Sequence, residues 1–199
     1  MITTTLVETP IRILVDANIL YSQTKMRWLF FMTRKLSQMQ LWISEDILAE
    51  TRYNLRRDNP LAGSDLYQWE DKIPLIFGEQ RTSFLARSSY NHMDHGVKDI
   101  DDLHVHFAAL DSGMDILLTD NVKDFPSIGY QKPYRVSTLD AFLHQTAVKN
   151  PKILESAIAE QQRYYQRNHQ EALLSAGLYA SNCPQLASLV EPYETEPLD

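Results

Sequence analysis

Two aspartates close apolar runs in this chain. Asp16 follows Ile11-Arg12-Ile13-Leu14-Val15, and Asp120 follows Ile116-Leu117-Leu118-Thr119. If both runs are strands of an open parallel sheet, their carboxyl ends line the ligand crevice, and two acids on one rim point to a role other than stability. Taken singly, each is an ordinary turn-forming residue at a strand end. Glu50 is a third acid, four residues beyond Asp46 and followed by Arg52 and Arg57; an isolated helical glutamate is normally a surface residue. Asp99, Asp101 and Asp102 crowd the start of a further helix, where one acid suffices as a cap. The surplus carboxylates either repel one another in water or face a cation.

The elements that must deliver these acids alternate in type. Residues 11–15 have the continuous apolar character of a strand buried on both faces. Residues 25–39 read as an amphipathic helix with Trp28, Leu29, Phe31, Met32 and Leu36 facing inward. Leu41-Trp42-Ile43 is a second strand. Ser44 then caps a helix that runs to about Arg57, with Glu45 and Asp46 in its first turn and Asn59-Pro60 as its stop. A helix over residues 64–77 contains Pro74 and closes at Gly78. Further on, a strand is expected around residues 83–87 and a helix capped by Asp99 or Asp101 that ends at Gly113. Strands at residues 116–119 and 134–136 follow, then a helix capped by Ser137 or Thr138 and running through His144. Such alternation defines an α/β chain with a mainly parallel sheet. Beyond Asn150-Pro151 only helices are expected, to about Arg167, over residues 171–176 and over residues 184–190. Residues 191–199 read as a disordered tail.

Four motifs recur in the order and spacing of a known family. They are Ile13-Leu14-Val15-Asp16-Ala17-Asn18-Ile19-Leu20, Ser44-x-x-Ile47-Leu48-x-Glu50, Asp99-x-Asp101-Asp102-x-His104-Val105, and Leu118-Thr119-x-Asn121-x-x-Asp124-Phe125-Pro126. Together they resemble a PIN domain, most closely the VapC-type toxins of toxin–antitoxin pairs. The resemblance covers residues 11–147. Residues 150–190 resemble the C-terminal helical extension of one subgroup of those toxins. It implies a three-layer fold, with a central mainly parallel sheet between helices, and a metal-dependent endoribonuclease. Asp16, Glu50, Asp102 and Asp120 would be the catalytic acids holding Mg²⁺ or Mn²⁺, with Asn121 or Asp124 as register alternatives for the fourth. Asn18 and Thr119 would orient Asp16, and Arg52 and Arg57 would contact RNA. Implied partners are RNA (tRNA, rRNA or mRNA), a small antitoxin protein and a second copy in a homodimer. A non-catalytic binding module of the same fold, or a PIN nuclease of RNA processing without an antitoxin, are the competing readings.

This chemistry suits the residues. Phosphodiester cleavage needs charge neutralisation and a hydroxide-like nucleophile, and divalent cations supply both. Mg²⁺ takes oxygen ligands and keeps several waters, so a few carboxylates on separate elements suffice.

Charge is distributed accordingly. Across 199 residues the formal charge is −7, which argues against a coat for duplex DNA. Residues 61–129 hold 12 acids against 5 basic residues, enough to account for the whole excess and to read as a cation basket. Residues 1–60 hold 8 basic residues, among them Lys25, Arg27, Arg34 and Lys35, beside Asp16 and Glu50. The longest apolar run, residues 28–32, is far below the roughly 20 residues of a membrane span. No signal peptide is expected at the start of the chain. One cysteine, Cys183, excludes an internal disulfide and a cysteine-rich zinc site, and reads as inert; the expected compartment is the cytoplasm. His92 and His95 lack an identifiable third ligand for zinc, His104 and His106, two apart, point to different helix faces, and His104 reads as a packing or capping residue.

Overall fold

The computed structural model describes residues 9–58, 63–82, 96–125, 133–168 and 171–195. Five parallel strands make one sheet in the order β3-β2-β1-β4-β5, with β1 Ile11–Val15, β2 Met39–Ser44, β3 Arg81–Thr82, β4 Ile116–Leu118 and β5 Arg135–Ser137. Ile13 of the central strand pairs with Leu41 on one side and Ile116 on the other. Ile13, Leu14, Val15, Ile43, Leu117 and Leu118 are buried, as a parallel sheet covered by helices requires. The chain leaves β1 for β2 on one side, and β4 lies on the other. The topological switch point is therefore between β1 and β4, where Asp16 and Thr119 follow their strands.

Helices fill the connections. They are α1 Ala17–Leu20, α2 Gln23–Thr33, α3 Glu45–Asp58, α4 Gly63–Phe77 and α5 Leu103–Asp111. Helix α2 is shorter than its apolar periodicity suggests. Its stripe buries Trp28, Leu29 and Met32, but the chain turns after Thr33, with the Leu36 N–H on the Thr33 carbonyl at 2.8 Å. Met39 is thereby freed to enter β2 opposite Ile11. Ser44 caps α3 as expected, its Oγ accepting from the Ile47 N–H at 3.1 Å. Helix α4 contains Pro74 and closes at Gly78, whose φ of +56° is the left-handed conformation that glycine adopts without strain. The expected stop at Asn59-Pro60, the strand near residues 83–87, and His92 and His95 lie outside the described residues.

The remaining helices are α6 Leu139–Lys149, α7 Pro151–Arg167, α8 Leu174–Ala180, α9 Pro184–Val190 and α10 Pro192–Thr195. Helix α6 runs past His144 because Thr146 and Ala147 continue its buried stripe. Asn150 stands at the N-cap of α7, as expected, but makes no side-chain cap bond there. Its Nδ2 donates back to the Thr146 carbonyl at 3.0 Å, closing α6 instead. The expected helix over residues 171–176 starts later, at Leu174, because a distant side chain sets its beginning: the Glu194 carboxylate accepts from the N–H groups of Leu174 and Ser175. Residues 192–195 are thus a helical turn with a job, not a frayed tail; residues 196–199 lie outside the described residues.

These C-terminal helices share one hydrophobic core with the sheet, contributing Leu154, Ile158, Leu178, Leu186 and Val190 to it. Buried Asp140 of α6 clasps α9, accepting from the N–H groups of Gln185 at 3.1 Å and Leu186 at 2.9 Å. Asp140→Ala leaves those donors unpaired and is expected to cost about 2 kcal/mol. Urea unfolding monitored by circular dichroism measures it, and an unchanged midpoint would show that the clasp contributes nothing. Among the described residues no helix is long and apolar enough to cross a membrane.

Candidate active site

Asp16 occupies the switch point and is 3% exposed. As the N-cap of α1, its Oδ1 accepts from the Ala17 N–H at 2.6 Å. Its Oδ2 accepts from Asn18 Nδ2 and from the Thr119 hydroxyl, both at 2.7 Å. Asn18 Nδ2 also reaches Thr119 Oγ1 at 3.0 Å, and the Asn121 N–H donates to that same hydroxyl oxygen at 3.0 Å. The two strand ends are therefore stitched together around one carboxylate, with Asn18 and Thr119 fixing its orientation. Burial pushes the Asp16 carboxyl up to about 7; Thr119 and the Ala17 N–H oppose the rise, while Glu50 and Asp102 add to it.

Glu50 and Asp102 are thus the charges that Asp16 feels. Glu50 projects from α3, which packs on both α1 and α5. Asp102 ends the 3-10 turn Ile100–Asp102 that leads into α5. Asp99 does the capping there, its Oδ1 accepting from the Asp101 N–H at 3.0 Å, whereas Asp102 makes no side-chain cap bond. Asp102 is free of that structural duty, and its Oδ2 is a buried oxygen with no hydrogen-bond partner among the described residues. Burial pushes its carboxyl up to about 6, with Asp99, Glu50 and Asp124 adding to the rise and His104 opposing it.

His104 belongs to this group, which the reading as a packing or capping residue missed. Its Nδ1 lies 2.7 Å from the Asp101 carbonyl, and Nε2 lies 3.4 Å from Glu50 Oε2. Burial alone would lower its pKa, but Glu50, the Asp101 carbonyl and Asp16 raise it overall. The available signal was its place two residues after Asp102 within an acid-rich motif. His106, two residues on, points elsewhere and meets the buried Tyr134 hydroxyl.

Asp120 is engaged differently from the expected fourth acid. Its Oδ2 accepts from Lys25 Nζ at 2.5 Å, and the charges raising Asp16 are Glu50 and Asp102. Asp124, one of the two register alternatives, acts on Asp102 instead. Asn121 is exposed and contributes its backbone N–H. Arg52 and Arg57, the expected RNA contacts, pair with Glu70 and Asp58 on the surface. Cys183 is buried, which pushes its thiol up to about 12 and leaves it unreactive.

Among the described residues no three Asp, Glu, His or Cys groups stand close enough together to chelate one ion. Asp16, Glu50 and Asp102 are electrostatic neighbours rather than a closed cage. Their donor chemistry nonetheless fits a hard divalent cation, and the unpartnered Asp102 Oδ2 is the atom such an ion would satisfy. No protein-family model, curated protein or solved structure matches the chain.

Proposed function

We propose that this chain is a metal-dependent endoribonuclease of the PIN type, acting in the cytoplasm as the toxin of a toxin–antitoxin pair. The observation that carries the nuclease reading is that buried Asp16, at the β1/β4 switch point, feels the charges of Glu50 from α3 and of Asp102 from the turn before α5. Two of the three carboxyls are held above their ordinary range, chiefly by burial and further by the neighbouring carboxylates, which supports a site able to take a cation. The toxin role, the antitoxin and a homodimer rest on the resemblance of the four motifs alone.

Asp16, Glu50 and Asp102 would hold Mg²⁺ or Mn²⁺, with Asp124 at the edge of the group. The bound ion supplies charge neutralisation at the phosphate and lowers the pKa of a water. Asn18 and Thr119 keep Asp16 Oδ2 in one orientation through hydrogen bonds. His104 Nε2, 3.4 Å from Glu50 Oε2, would offset the charge of Glu50 when protonated. The surface pairs of Arg52 and Arg57 are worth little, so a phosphate backbone can displace Glu70 and Asp58 from them.

Purified full-length protein incubated with tRNA and ribosomal RNA tests the reading. Cleavage is expected with Mg²⁺ or Mn²⁺ and not with EDTA. No cleavage of any RNA under either condition would leave a binding module. A finer test concerns the fourth acid. Asp124→Asn is expected to slow cleavage by about tenfold through loss of a charge near the ion, and Asn121→Ala to leave the rate within about twofold. The reverse order would place Asn121 in the site instead.

A further inference from the structure

The geometry points to Lys25 and Asp120 as a positioning pair that locks the turn after β4 and, through it, the orientation of Asp16. This inference rests on the metal-dependent nuclease reading and assigns Asp120 a role other than metal ligand. Lys25 is 8% exposed, a burial that a lysine tolerates only with a partner. It lies on the inward stripe of α2 with Trp28, Leu29 and Met32, at helical spacing. Its Nζ reaches the Asp120 carboxylate from a different element, so α2 is tied to the turn at residues 119–121.

That turn bears directly on the site. The Asp120 N–H donates to Asn18 Oδ1 at 3.2 Å, and Asn18 Nδ2 in turn holds Asp16 Oδ2. Thr119 and Asn121, on either side of Asp120, supply the other bonds of the network. Lys25 is the buried partner and the Asp120 side chain is 28% exposed, so displacement of Asp120 leaves a buried ammonium without compensation. Lys25 therefore fixes the carboxylate of Asp120, Asp120 fixes the turn, and the turn holds Asn18 through its Asp120 N–H and presents the Thr119 hydroxyl to Asp16. Cys183, the N-cap of α9, feels the charges of Asp140, Lys25 and Asp120.

The alternative, Asp120 as a metal ligand, makes the opposite demand. Lys25 would then be a cation competing with the metal, and removing it would tighten binding. Full-length Lys25→Met separates the two by Mn²⁺ titration calorimetry. Positioning predicts Mn²⁺ binding weaker by about tenfold, the low end of the effect of disturbing an outer partner of a metal site. It also predicts amide hydrogen exchange at residues 119–121 at least about tenfold faster in the metal-free protein, and a fall in kcat with KM for RNA unchanged. Tighter or unchanged Mn²⁺ binding with unaltered exchange overturns the inference. If Lys25→Met fails to fold, Lys25→Met combined with Asp120→Leu replaces the pair by an apolar contact. The same weakened binding is then expected, and wild-type binding in that variant overturns the inference. Wild-type protein that binds no Mn²⁺ would instead sink the nuclease reading, and exchange at residues 119–121 would still decide whether Lys25 holds the turn.

Discussion

Asp102→Asn is expected to lower metal-dependent RNA cleavage by more than about a hundredfold, the upper end of what disturbing even an outer partner of a metal site costs. The same substitution should raise the melting temperature of the metal-free protein. Asp102 has no capping bond to lose, one unpartnered buried oxygen, and like charges around it at Asp99, Glu50 and Asp124. Removing one charge from that group relieves repulsion at the expense of function, the trade typical of strained sites. A gain of about 1 kcal/mol corresponds to roughly 2–4 °C in a chain of this size. Thermal melts in low salt with EDTA, then with millimolar Mn²⁺, are the measurement. Wild type should gain more from Mn²⁺ than the mutant, because metal stabilises only the state that binds it. A mutant that cleaves RNA at the wild-type rate, or that melts lower in EDTA and responds normally to Mn²⁺, would remove Asp102 from the site.

The second large effect is on pH dependence. In the folded protein the Asp16 carboxyl sits at about 7, against an ordinary 3.8. A carboxyl raised on folding binds a proton in the native state over a range where the unfolded chain has lost it. Its contribution to stability is therefore complete below about pH 4 and lost as pH rises through 7. For this buried carboxyl the difference between 3.8 and about 7 corresponds to roughly 4 kcal/mol. Metal-free wild type should lose stability relative to Asp16→Asn by up to that amount between pH 4.5 and 8. Urea unfolding of both proteins in EDTA across this range reads the difference directly. A constant difference would mean that Asp16 titrates alike in the folded and unfolded chain.

What could be read from the sequence was local. Asp16 follows its strand by one residue, Ser44 caps the helix that carries Glu50, and Asp102 lies in an acidic run before an apolar helix. Each is fixed by a few neighbouring residues, and the α/β alternation around them follows from hydrophobic period. The rest depended on partners far along the chain. Asp120 and Asp124 both follow β4 and both carry a carboxylate; what separates them is Lys25, 95 residues before Asp120. Lys25 could have been suspected, since a cation on the inward stripe of α2 needs a partner. The start of α8 is set by Glu194, twenty residues downstream, and no local pattern announces that. His104 was ambiguous for a similar reason: its second contact, Glu50, is on another helix.

The strand order has a consequence for synthesis. Central strand β1 is paired on both edges only when Ile116 has joined Ile13, about a hundred residues later in the chain. Such distant pairing slows folding and leaves the strand edge open meanwhile. It also means that Asp16 and Glu50 emerge from the ribosome well before Asp102, Thr119 and Asp124. At about 5–20 residues per second, a nascent chain carries half a site for several seconds. On the proposed nuclease reading, activity would be tied to the closing of the sheet, and a chain interrupted before β4 is expected to be inert.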